Sequence, residues 1–98
     1  MVEIRWTVEA ENWLKEIFSY IAEDNPTAAK RVVEGIWEKA QMLKDYPQIG
    51  HLFRKEPDGE VRIILYGHYR IAYQIKAKNQ IDILGVFHGA LDIERYIS

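Results

Sequence analysis

Two side chains late in this chain have the chemistry to move protons and bind phosphate, Arg70 and His88. An imidazole, with an ordinary pKa of about 6.5, can donate or accept a proton near neutrality. A guanidinium is a permanent planar cation that grips phosphate oxygens in two-pronged fashion. Each also has a plainer reading. Arg70 can pair with Asp82 or a glutamate across a sheet, and His88 can be a hydrogen-bonded structural histidine or a contact to a partner. Arg62 opens a strand-like run and is better suited to fixing that strand or touching a partner than to catalysis. His51 and His68 fall in loops far apart, without the spacing of a zinc helix, so no metal site is expected. With no cysteine, thiolate chemistry and disulfides are excluded. No cofactor is expected.

These residues sit on three β-type runs, Val61 to Tyr66, Tyr69 to Lys76 and Ile81 to Phe87. Gly67-His68 between the first two fits a two-residue type II′ hairpin turn, which takes Gly at its first central position. Lys78-Asn79-Gln80 joins the next two, with Asn79 able to adopt positive φ. Pro57-Asp58-Gly59 is a further turn. Upstream, Val2, Ile4 and Trp6 alternate with Glu3 and Arg5, as in a short half-buried strand. Thr7 can cap a helix over roughly 8–23, with Ala10, Trp13, Leu14, Ile17, Phe18 and Ile21 at helical spacing and Glu9 and Glu11 in its first turn. Asp24-Asn25-Pro26-Thr27 breaks it, because a residue before proline avoids the α region. A second helix over roughly 27–45 places Ala29, Val32, Val33, Ile36, Trp37, Ala40 and Leu43 on one stripe and ends at Tyr46-Pro47. Trp13 and Trp37 are read as core residues. The predicted fold is α+β: an N-terminal strand, an antiparallel helical hairpin packed on an antiparallel β-meander, and a short C-terminal helix capped by Asp92 that is stable only when docked.

Alternation divides the meander into two faces. Odd positions form an apolar face that includes Val61, Ile63, Tyr69, Ile71, Tyr73, Ile83 and Phe87, expected beneath the helices. Tyr69 and Tyr73 there are packing residues before they are catalytic ones. Even positions form a mixed face of Arg62, Ile64, Arg70, Ala72, Leu84, Val86 and His88. Its apolar content calls for a cover, either the C-terminal segment or a partner chain.

At 98 residues the chain is read as one domain, residues 1–98. A hydrophobic share of 48% with 29% charged residues describes a globular protein, and no apolar run approaches the ~20 residues of a membrane span. Met1 to Trp6 lacks the pattern of a secretory leader, and the proline inside Asn25-Pro26-Thr27 disqualifies it as a glycosylation sequon. The expected location is cytoplasmic. A net charge of −2 is not the basic excess of a protein that relies on phosphate contacts, so any nucleic-acid role must rest on a local patch.

Tyr46-Pro47-Gln48-Ile49-Gly50, Arg62 opening a strand, Tyr69-Arg70-Ile71-Ala72-Tyr73 and Ile83-Leu84-Gly85-Val86-Phe87-His88, in this order, resemble the RelE/ParE superfamily of type II toxin–antitoxin toxins. The likeness spans nearly the whole chain and is closer to the ParE-like branch, the plasmid stabilisation proteins. It implies a toxin neutralised by a small antitoxin that wraps it, as a dimer or a heterotetramer with that antitoxin. Arg62, Ile64, Arg70, Ala72, Leu84, Val86 and His88 are then the expected contacts to antitoxin or target. The family holds two activities. ParE itself poisons DNA gyrase; RelE- and YoeB-like enzymes cleave messenger RNA on the ribosome. For the second, the resemblance places Arg70 at a phosphate-binding arginine and His88 at the general acid, with Glu56 loosely aligned to a base. Gly89 stands where those enzymes carry a phenol, and the chain lacks their basic surface. The reading favoured is a ParE-like toxin that binds a macromolecular target, with the ribonuclease and a non-toxic antitoxin-binding member as alternatives.

Overall fold

The computed structural model describes residues 2–77, 79–89 and 91–97; Met1, Lys78 of the second turn, Ala90 and Ser98 lie outside them. The chain runs β1 (Glu3–Trp6), α1 (Val8–Ala22), α2 (Pro26–Gln41), a 3₁₀ turn (Met42–Lys44), β2 (His51–Glu56), β3 (Gly59–Tyr66), β4 (Tyr69–Lys76), β5 (Gln80–His88) and a last 3₁₀ turn (Ile93–Arg95). The first helix starts on its expected cap, Thr7, whereas α2 begins at Pro26 on a cap at Asn25, a residue that the sequence reading took only as part of the break. The Thr7 hydroxyl accepts from the Ala10 amide at 3.1 Å, and the Asn25 side chain accepts from the Ala28 amide at 3.0 Å, with Pro26 in the first turn. Asp92 likewise accepts from the Glu94 amide at 3.2 Å.

The strands form one five-stranded sheet in the order β1-β5-β4-β3-β2. Pairs β2–β3, β3–β4 and β4–β5 are antiparallel, whereas β1 lies parallel to β5 from Glu3↔Gln80 to Trp6↔Ile83. The meander is therefore longer by one strand than expected, and β1 closes its far edge. The helical hairpin covers one face. Its core brings Ala10, Ile36, Ala40 and Leu43 onto Ile64, Ile71, Tyr73, Ile81, Ile83 and Val86. The C-terminal segment covers the other, with Ile93 buried against Ile63, Ala72 and Phe87.

The division of faces differs from the odd–even reading, for two physical reasons. A two-residue turn pairs Tyr66 with Tyr69, so even residues of β3 share a face with odd residues of β4: Ile64↔Ile71 on the helix side, Ile63↔Ala72 on the other. Gly67, at φ +57°, is the positive-φ residue that this turn requires. In β5 the register shifts between Ile83 and Gly85, leaving Leu84 as an extra residue that reverses alternation. Hence Val86 faces the helices and Phe87 does not. Trp37 is also corrected. The buried seam of α2 is Ala29, Ile36 and Ala40, and Trp37 lies one residue off it, 50% exposed.

Candidate functional site

The residues of the expected mixed face do not form one surface. Ile64 (5% exposed) and Val86 are buried beneath the helices, and Ala72 is buried beneath the C-terminal segment, so none is open to a partner. Leu84 is half-buried at the bulge. Arg62 is opposite Tyr73 on the helix side, and its guanidinium is already committed. It donates from Nε to Glu60 at 2.6 Å and from Nη1 to the carbonyls of Gly50 at 2.6 Å and Gln48 at 3.2 Å.

That commitment explains the Tyr46–Gly50 motif. The Tyr73 hydroxyl, on a side chain with no solvent exposure, donates to the Pro47 carbonyl at 2.7 Å and accepts from the Gly50 amide at 3.0 Å. Burial pushes the Tyr73 phenol above its ordinary pKa of about 10, against the Gly50 hydrogen bond and the Arg62 charge. A Cβ at position 50 would sit 2.7 Å from the Ile63 carbonyl, which leaves only glycine room there. Tyr73 and Arg62 thus pin the loop from the sheet, leaving Tyr46 and Ile49 projecting outward, 61% and 51% exposed.

Arg70 and His88 occupy neighbouring positions of the β4–β5 ladder but opposite faces. Arg70 is paired with Phe87, and His88 with Tyr69. The Arg70 Nη2 donates to the Leu91 carbonyl at 2.5 Å, while its Nε is buried without a hydrogen-bond partner among the described residues. The ion pair expected between Arg70 and Asp82 is absent. Asp82, with only 3% of its side chain exposed, takes Arg5 at 2.8 Å, Lys76 at 2.9 Å and the Gln80 amide at 2.8 Å. Burial alone would raise the Asp82 pKa, but hydrogen bonds from Gln80, Lys76 and Arg5 outweigh it and hold the carboxyl below its usual range.

A second arginine, absent from the sequence candidates, does for the chain end what Arg70 does for Leu91. Arg54 donates from Nη2 to the Ile97 carbonyl at 2.6 Å and from Nε to Glu56 at 2.6 Å. Glu56, aligned loosely to a general base, is therefore an ion-pair partner. Between the two arginines, Tyr96 stacks on Phe87 at 5.5 Å, and both rings meet Trp13 of α1 edge-on at 5.2 and 4.9 Å. These aromatics were readable as apolar residues, but their meeting was not. The exposed His88 ring meets Tyr69 edge-on at 5.8 Å and stacks near His68 at 6.4 Å. It borders a groove of about 470 Å³ that also takes in Trp13, Glu16, Ile17, Tyr20 and Leu91. No group of three potential metal ligands occurs among the described residues.

A sheet closed by a parallel N-terminal strand, faced by a helical hairpin on one side and its own C-terminal segment on the other, is an architecture with known relatives. The family model for the ParE toxin of the type II toxin–antitoxin system parDE matches residues 4–93. This chain belongs to that family. A relative from Sinorhizobium fredii (strain NGR234), named "Putative toxin Y4kP", is 38% identical over 85 residues, which is 87% of this chain and 85% of the relative. The solved structure of a chromosomal ParDE system from P. aeruginosa has the same fold, with a TM-score of 0.73 at 24% identity over 90% of this chain and 96% of the other. The chain is a ParE-like type II toxin, as its sequence motifs led one to expect. No helix among the described residues is long and apolar enough to cross a membrane.

Proposed function

We propose that this toxin acts by binding a macromolecular target, DNA gyrase, and that an antitoxin silences it by occupying its surface, leaving ribosome-bound messenger RNA untouched. The observation that carries this reading is the separation of Arg70 from His88. A ribonuclease of the YoeB type needs its phosphate-binding cation and its proton donor on one side of the scissile phosphate. Here the cation lies on the face of the C-terminal segment, holding the Leu91 carbonyl, and the imidazole lies on the helix side. Moving Arg70 to a phosphate would strip the segment of that hydrogen bond. Membership of the ParE family supports gyrase as the target and an antitoxin as the partner.

The test runs two assays on one preparation. Translating ribosomes with a defined message, read by primer extension, should leave the message intact. Purified gyrase with supercoiled DNA should show loss of supercoiling activity or accumulation of cleaved DNA. Cleavage of the message in the ribosomal A site, abolished in both Arg70→Ala and His88→Ala, would establish the nuclease and sink this reading.

A further inference from the structure

Trp13 borders three adjoining depressions at once, of about 470, 640 and 290 Å³. They join into a trench that follows α1 from Thr7 and Glu9 to Tyr20, with Leu91, Tyr96 and Ile97 of the C-terminal segment as the opposite wall. Thirteen residues of helix make it about 20 Å long. Its floor is apolar at one end, where Trp13, Ile17, Val86 and Leu91 line it and Tyr20, 78% exposed, projects without burying its ring, and polar at the other, where Thr7, Arg54, Glu56, Asp58 and Gln74 line it.

The charge around this floor has one dominant sign. Glu9, Glu16 and Asp58 face the trench without an ion-pair partner among the described residues, Asp58 taking only the neutral Gln74 amide at 3.1 Å. The fourth carboxylate, Glu56, is matched by Arg54, whose remaining bond goes to the Ile97 carbonyl. The other ionisable side chains lining it are His88 and the phenols of Tyr20, Tyr69 and Tyr96. An acidic rim repels nucleic acid, whose affinity for proteins rests on phosphate neutralisation. It also disfavours a second copy of this chain seated rim to rim, since like charges across an interface oppose association.

We propose that the trench seats a cationic amphipathic segment of the antitoxin, one turn-spaced apolar stripe lying on Trp13, Ile17 and Tyr20, with lysines or arginines over Glu9, Glu16 and Asp58. This rests on the toxin–antitoxin reading above and adds the place and the chemistry of the contact. The dimensions match a helix of about 13 residues laid in a groove, a recurring mode of peptide recognition. The trench leaves the sheet's outer edge, strand β2, unused.

The experiment uses the full chain and its cognate antitoxin, with binding rates followed over a range of salt. Glu9→Lys combined with Glu16→Lys should slow association about 10-fold at low salt and flatten its salt dependence, because rim charges act mainly through steering. Tyr20→Ala should weaken affinity about 10-fold or more, chiefly through faster dissociation, as an aromatic anchor does. Glu34→Lys combined with Glu38→Lys applies the same charge change to exposed positions of α2 and should alter neither. Thermal melts establish that each variant is folded. If the wild type binds the antitoxin while the trench variants bind as tightly and as fast, or faster, the trench is not the seat. If the folded wild type binds no antitoxin at all, the toxin–antitoxin reading itself falls and takes this proposal with it.

Discussion

Replacing Tyr73 by Phe removes one oxygen from the molecule's interior and leaves the ring in place. That oxygen serves two backbone groups, accepting from the Gly50 amide and donating to the Pro47 carbonyl. Each net hydrogen bond contributes about 1 kcal/mol, and an orphaned buried donor costs about 1–3 kcal/mol. Gly50 is buried, so its amide finds no water in compensation. The Arg62 bond to the Gly50 carbonyl survives and keeps the loop partly in place. A loss of about 2–3 kcal/mol follows, equivalent to roughly 10–20 °C in melting temperature for a domain this small. Urea and thermal melts of Tyr73→Phe against wild type give the number. The pH dependence sharpens the test. A phenol whose folded pKa is raised stays neutral in the fold but ionises in the unfolded chain above about 10, so its stabilisation is complete below that pH and declines above it. The gap between the two proteins should be constant from pH 6 to about 9 and narrow above about 10. A change below about 0.5 kcal/mol, or a gap indifferent to alkaline pH, would refute the assignment of Tyr73 as the anchor of the Tyr46–Gly50 loop.

Two further outcomes follow from buried contacts. Asp82→Asn should cost about 1–3 kcal/mol at neutral pH, because Arg5 and Lys76 lose their carboxylate but keep access to water. Since the folded pKa is depressed, that contribution is full above about 4 and fades as pH falls below it, so acid melts of the two proteins should converge. Gly35→Ala, which improves helix propensity by about 1 kcal/mol, should nonetheless destabilise, because the new methyl would lie 1.9 Å from the Tyr66 hydroxyl. In a Tyr66→Ala background the same change should stabilise, and a double-mutant cycle with no coupling would show that the ring moves aside freely.

What the sequence disclosed follows from which interactions are local. Thr7 and Asp92 announced their helix starts because a cap is made within three residues, whereas Asn25 was read only as part of the break between helices and turned out to cap the second. The seam of α2 was visible at helical spacing, although the breadth of its apolar stripe hid the fact that Trp37 lies off the packed line. Strand β2 escaped notice because His-Leu-Phe-Arg-Lys-Glu does not alternate, being an edge strand with a register shift between Leu52 and Arg54. The face assignment on β3 could have been avoided from the sequence itself. A two-residue turn at Gly67-His68 requires Tyr66 to oppose Tyr69, and this inverts odd and even between the strands. The bulge at Leu84 gave no such notice. Of the site, Arg70 was given an acidic partner across the sheet, but its partner is a backbone carbonyl in the C-terminal segment, and carbonyl partners leave no trace in side-chain pattern. Arg54 was passed over for the same reason.

The parallel pairing of β1 with β5 also sets a timetable. Strand β1 finds its hydrogen-bonding neighbour only in β5, and Arg5 meets Asp82 across 77 residues of chain. The helical hairpin, built from near neighbours, can form early, but closing so long a loop must precede any reward from the sheet edge. A chain still being translated therefore holds Glu3 to Trp6 unpaired until residues 80–83 have emerged. Completion of this fold waits on residues 80–83, and a chain truncated before Gln80 has neither its closing strand nor the face on which residues 91–97 are fastened.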